Sequence, residues 1–241
     1  MTAEENLRWA LSAARSRIAR WAVTAVALRE ATGDPNALWE PFQLEYLNRC
    51  EEQPVIAVSK SRQIGFSWLM ALEAVARSHL YPGSLTNFVS INRAEAEEKI
   101  RYAVQINEAC PGLAHRWVTK NRGELETATG SRIRSHACTP PRGLPRANHR
   151  LDEIAHYQRP AEIYEAAVPA MLRGGSIAIA SSPWVRGGFH YEVMEEQSRY
   201  PRFSRMWVPW WECFGLCTDV ERAKREAPAM STADRVAAFG T

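Results

Sequence analysis

Two stretches of the chain hold residues whose types and spacing could manage a phosphate group. The first reads Lys60-Ser61-Arg62-Gln63-Ile64-Gly65-Phe66-Ser67. It follows a short β-branched run at 54–59 and precedes a stretch, 67–79, with helical periodicity. A strand, a tight loop containing glycine and a helix opening on serine form a cradle where backbone N–H groups converge and the helix dipole adds positive charge. Against the nucleotide-loop pattern G-x-x-x-x-G-K-[ST], Gly65 and Ser67 match. Lys60 stands where the first glycine belongs, and Phe66 stands where the lysine belongs. Lys60 and Arg62 offer the cationic donors a phosphate needs, and an arginine can grip two oxygens at once. The Ser67 hydroxyl is placed to reach a magnesium ion. The plain alternative is a strand-to-helix turn with incidental basic residues.

The second stretch is Asp152-Glu153. Such a pair at the end of a sheet strand can divide labour, one carboxylate holding Mg²⁺ and the other orienting or deprotonating an attacking water. The residues before it, 147–151, are not the apolar run that a buried strand prefers, and acid pairs also occur at exposed helix starts. A third feature is the apolar run 176–180 leading into Ser181-Ser182-Pro183. Hydroxyl residues at the carboxyl end of a parallel strand lie where α/β proteins bind ligands, and Ser182 is placed to sense a terminal phosphate. A fourth is a charge bias. Between Glu126 and Asp152 there is no acidic residue, while Arg132, Arg134, Arg142, Arg146 and Arg150 all fall there. That segment could face a nucleic-acid backbone, place an arginine on a neighbouring subunit's phosphate, or simply be a solvated loop.

The elements that must position these residues alternate. The spacing predicts one long helix over 4–31, on a stripe of Leu7, Leu11, Ala14, Ile18, Trp21, Ala25 and Leu28, docked on its own core. Further helices are expected at 38–49, 67–79, 94–109, 161–172 and 191–198, and strands at 54–59, 86–91, 151–155, 176–180 and 203–209. A hairpin is expected from 124–127 and 132–136, with a loop at 140–145. Strands alternating with helices predict an α/β fold, a mainly parallel sheet with helices on both faces.

Composition is that of an ordinary globular chain: 241 residues, 46% hydrophobic and 24% charged. This excludes a disordered or low-complexity protein. The net charge of +3 is too small to announce a nucleic-acid binder by itself. No apolar run approaches the ~20 residues that span a bilayer, and the first residues do not read as a signal peptide; a cytoplasmic protein without a membrane partner is expected. The five cysteines are scattered, and Cys213 and Cys217 have no second Cys/His pair to complete a zinc site.

Jointly these elements resemble the N-terminal ATPase domain of the large terminase subunit of tailed bacteriophages, in its Mu-like branch. The resemblance runs over about 42–191. Pro41-Phe42-Gln43 with Tyr46-Leu47 is similar to the family's adenine motif, and Lys60 through Trp68 looks like its Walker A variant. Asp152-Glu153 resembles Walker B, and Ser181-Ser182-Pro183 the coupling motif. The resemblance implies a P-loop NTPase fold of the RecA-like kind. It also implies an ATPase that uses ATP and Mg²⁺ to move double-stranded DNA into a procapsid. Gln43 would read adenine. Lys60, Ser61, Arg62, Gln63, Gly65, Phe66, Ser67 and Ser182 would line the nucleotide. Ser67 and Asp152 would hold Mg²⁺, Glu153 would activate water, and Arg142, next to Gly143, would be a finger into the next subunit.

The resemblance further implies a portal protein and a small terminase subunit as partners. The chain would act in the bacterial host cytoplasm, transiently at the procapsid portal, as a homo-oligomeric ring when assembled and a monomer when free. The expected division is a helical arm at 1–35, the ATPase domain at 36–210, and a tail or linker at 211–241. The family's nuclease half has no counterpart here, so an isolated motor domain, a split gene product or a truncated prophage remnant is expected, without DNA cleavage. Two other readings remain: a catalytically silent nucleotide- or DNA-binding remnant, and a helicase-like translocase.

Overall fold

A computed structural model describes residues 1–141 and 143–241. Its N-terminal region holds α1 (Ala3–Ala13), α2 (Arg17–Ala25), α3 (Leu28–Thr32) and α4 (Pro41–Glu52). The central region runs β1 (Val55–Lys60), α5 (Phe66–Leu80), β2 (Leu85–Ser90), α6 (Arg93–Glu108), β3 (Trp117–Lys120), β4 (Glu124–Thr127), β5 (Arg132–Ala137), β6 (Asn148–Asp152), α7 (Pro160–Leu172), β7 (Ser176–Ser181), α8 (Phe189–Glu195) and β8 (Ser204–Val208). Two short helices follow, α9 (Val220–Glu226) and α10 (Thr232–Phe239).

The strands form one sheet in the order β3-β4-β5-β2-β6-β7-β1-β8. From β5 to β8 neighbouring strands are parallel, and β4 is antiparallel to both β3 and β5. Strand alternation divides the core. Ile56 and Val58 of β1 and Ala178 and Ala180 of β7 face the layer built by α2, α4, α5 and α6. Val55, Ala57, Ile177 and Ile179 face the opposite layer, which includes α7 and α8.

The expected single N-terminal helix is broken. The chain leaves α1 at Ala14, and Asn48 of α4 accepts hydrogen bonds from the freed backbone N–H groups of Arg15 (2.8 Å) and Ser16 (2.9 Å). Ser16 then caps α2 by accepting from Ala19 N at 3.0 Å. The break rotates the apolar stripe: Leu7 and Leu11 are 43% and 45% exposed, while Ala10, Ala14, Ile18 and Ala22 enter the core. Sequence reasoning also overlooked β3, a four-residue edge strand beyond the expected hairpin.

The strand before the acid pair forms despite its polar sequence, Asn-His-Arg-Leu-Asp, and is buried throughout. Each polar side chain has a partner. Asn148 donates to Leu85 O and accepts from Ser176 Oγ. His149 meets Asn87 at 3.2 Å. Arg150 forms a two-pronged bond to Glu73 of α5, at 2.8 and 2.6 Å. Buried polar groups are tolerated when paired, so hydrophobicity alone did not reveal this strand. No helix among the described residues is long and apolar enough to cross a membrane.

Candidate nucleotide-binding site

β1 sits between β7 and β8, and β6 lies on the far side of β7, so the loop after β1, the end of β7 and the acid pair after β6 meet at one carboxyl edge of the sheet. The register fixes this, with Ser59 opposite Ser181 and Asp152 opposite Ala180. Ligands of open α/β sheets bind at such an edge.

The loop reverses on two left-handed residues, Gln63 (φ 58°) and Gly65 (φ 76°). Among the described residues no atom lies within 4 Å of where a Gly65 Cβ would stand, so glycine is needed there for its backbone angle rather than for space. Gly65 is the N-cap of α5, and no described side chain caps that terminus. The first-turn N–H groups of α5 are therefore left for a ligand, with the dipole behind them. At the loop's start, Ser61 N donates to Val208 O, and Ser61 Oγ accepts from Trp210 N at 2.9 Å. Arg62 and Gln63 are exposed.

Phe66 occupies the motif's lysine position without replacing its function. It is 2% exposed. Its ring packs against those of Phe42 and Tyr46, with centroids 6.2 and 4.9 Å away. The cationic groups come from elsewhere. Lys60 Nζ donates to Glu153 Oε1 at 2.5 Å. Lys99 Nζ, from α6, lies 2.8 Å from Asp152 Oδ2. Ser67 Oγ donates to the same Asp152 oxygen at 2.6 Å. Asp152 Oδ1 is buried and has no hydrogen-bond partner among the described residues.

Glu153 is held in an unusual conformation. Its φ is 58°, uncommon for a residue with a side chain. Its Oε2 accepts from Ser182 N at 3.0 Å, and the Ser181 and Ser182 hydroxyls lie 3.1 and 3.2 Å from it. Burial pushes its pKa up, but the Lys60 ammonium and these donors outweigh burial and hold the carboxyl at about 2. Glu153 is thus ionised and aimed by a strand end that also carries the Ser181-Ser182-Pro183 turn. Just beyond it, Tyr157 Oη lies 2.7 Å from Val89 O and 3.0 Å from Asp152 O, tying the turn to β2.

The expected residues Lys60, Ser67, Asp152, Glu153 and Ser182 are brought together, with Ser61 and Gly65 shaping the loop. Gln43 lies in the first turn of α4, where its Oε1 accepts from Glu40 N at 3.0 Å. Arg142 falls outside the described residues. The basic segment is not one patch: Arg134 pairs with Glu124 at 2.7 Å, and Arg150 is buried against Glu73. Sequence reasoning missed Lys99. Its signal was a lysine on the buried stripe of its helix, among Ala96, Ile100 and Ala103.

An uncapped helix start after β1, a strand-end carboxylate touching the helix's first serine, and a second carboxylate held by the neighbouring strand define a P-loop fold of the RecA-like class. No protein-family model matches the chain, and no curated protein matches it in sequence. Among solved structures it is similar to the large terminase ATPase domain of Thermus phage P74-26, with 19% identity and a TM-score of 0.51 over 88% of this chain and 95% of that one. An arginine-to-alanine mutant of that domain gives 18% identity and a TM-score of 0.51 over 86% and 94%. A full-length large terminase from another thermophilic bacteriophage gives 11% identity and a TM-score of 0.58, over 90% of this chain and 53% of that one. This chain therefore has the fold of the phage large-terminase ATPase domain, and it spans about half the length of that last protein.

Proposed function

We propose that this chain is the ATP-hydrolysing motor of a phage DNA-packaging terminase. The observation that carries this reading is the meeting of Ser67, Asp152, Glu153 and Lys60 at the open start of α5. The terminase ATPase fold supports it.

The donor set fits a magnesium ion. Asp152 presents a buried carboxylate oxygen without a partner among the described residues, next to the Ser67 hydroxyl, and hard oxygen donors suit that ion. Ser67 and Asp152 would hold it, and the ion would neutralise charge on the nucleotide phosphates. The N–H groups of 61–67 bind and orient the phosphates, with Lys60 and Arg62 adding charge. Glu153, ionised and fixed by Ser181 and Ser182, accepts a proton from the attacking water. Ser182 donates to Glu153 through backbone and hydroxyl, so a shift of β7's end is felt at the base. Gln43 recognises adenine, and Arg142 completes the site of an adjoining subunit in a ring. Double-stranded DNA, a portal protein and a small terminase subunit are the partners this role requires, in the host cytoplasm.

A second reading, a nucleotide-binding remnant without turnover, draws support from Phe66, whose burial removes the motif's lysine from the site. Glu153→Gln separates the two. The motor reading expects ATP binding within a few-fold of the parent and turnover lowered at least a hundredfold. A parent protein that binds ATP and does not hydrolyse it, even when assembled, would favour the remnant. A parent that does not bind ATP would exclude both.

A further inference from the structure

We propose that Lys99 is a positioning residue that acts as the built-in counterion of Asp152, filling the charge position of the divalent ion until nucleotide delivers it. The proposal rests on the reading of this edge as a magnesium–nucleotide site.

Lys99 and Asp152 are 2% and 1% exposed, and they come from different elements, α6 and the end of β6. An isolated buried charge of either sign is strongly disfavoured, and removing one partner of such a pair leaves the other uncompensated. The ammonium therefore allows Asp152 to remain anionic in the resting protein. The pair is one-sided: among the described residues Oδ2 has both Lys99 and Ser67, and Oδ1 has neither. The carboxylate is held from one side, with its other oxygen open to a hard cation.

A divalent ion approaching that open oxygen meets the ammonium held by the same carboxylate. Two cations on one buried carboxylate repel strongly at this range. The site therefore resists metal alone. Phosphate oxygens at the start of α5 supply the missing negative charge, and both cations then fit. Metal enters with the nucleotide rather than ahead of it. Lys60 stands in the same relation to Glu153 at 2.5 Å, so each acid of the pair is covered by its own lysine.

The test is Mn²⁺ binding, followed by electron paramagnetic resonance on the folded chain without nucleotide. Lys99→Met should bind Mn²⁺ at least tenfold more tightly than the parent, Lys99→Arg should stay within a few-fold of it, and the gain should vanish in Lys99→Met with Asp152→Asn. A merely structural lysine predicts the opposite sign, because a damaged site binds metal less well. Equal or weaker Mn²⁺ binding in Lys99→Met overturns the proposal. If Lys99→Met does not fold, the parent decides: Mn²⁺ should bind at least tenfold more tightly with a non-hydrolysable ATP analogue present, and equal affinity overturns the proposal. The analogue's own binding to the parent is scored separately. Its failure removes the nucleotide reading, whereas the metal-only comparison of parent and Lys99→Met still decides the role of Lys99.

Discussion

Lys60 and Glu153 are each other's partner: the last residue of β1 donates to the residue that follows β6, across the intervening strand β7. The lysine expected to hold phosphate and the carboxylate expected to activate water are joined in the resting molecule. Nucleotide entry must share or break that bond. Lys60→Ala is expected to weaken ATP binding at least tenfold, about 1.4 kcal/mol, with Lys60→Arg recovering part of it. A fluorescent-nucleotide titration reads this, and unchanged affinity would remove Lys60 from the phosphate site.

The same bond predicts an acid-sensitive step. The Glu153 carboxyl is lowered from an ordinary value of 4.5 to about 2. A depressed carboxyl contributes stability that is present above its unfolded value and lost as pH falls through its folded one. Between pH 4.5 and about 2, stability should fall in the parent and fall less steeply in Glu153→Gln. Denaturant melts across that window check it.

A second window lies higher. Burial lowers His149 and His79 from 6.5 to about 4, with Arg150 adding to the shift at His149 and His115 at His79. A histidine kept neutral by the fold favours the native state above its unfolded value, and the advantage is lost as pH falls from 6.5 towards 4. His149→Gln, which keeps a polar side chain beside Asn87, should flatten part of that loss.

Glu73 and Arg150 make a third expectation. Both are buried, and Arg77 also pairs with Glu73. Glu73→Gln leaves Arg150 without a counter-charge and should cost about 3–5 kcal/mol. The apolar double variant Glu73→Leu with Arg150→Met should recover much of it. Equal losses in both would mean that shape, not charge, governs this contact.

Restoring the motif's missing lysine should not restore anything. Phe66→Lys would insert an ammonium among Phe42 and Tyr46 and remove a core aromatic, a change of the kind that costs about 3–5 kcal/mol. The expected result is a large drop in melting temperature and no gain in ATP affinity.

The alternation of short β-branched runs with helical stretches made the sheet legible, because β1 and β7 are apolar and buried on both faces. The loop, the acid pair and the serine turn were legible by order along the chain. What stayed hidden depends on contacts distant in sequence. β6 reads as surface until Glu73, Asn87 and Ser176 are seen to pair with it. The break after α1 is made by Asn48, more than thirty residues away. Lys99 looked like one more helix-surface lysine because nothing near it in sequence reveals that α6 turns it toward Asp152.

The hydroxyl of Ser61 holds the backbone of Trp210, and the Glu40 carboxylate takes the N–H groups of Phe214 and Gly215 at 2.7 and 3.0 Å. The phosphate loop is thus tethered to the segment after β8, and that segment is anchored again ahead of α4. Ser61 cannot shift by more than a fraction of an ångström without dragging Trp210 or letting it go. A ligand that tightens the loop becomes a pull on the last helices, delivered through a single oxygen atom.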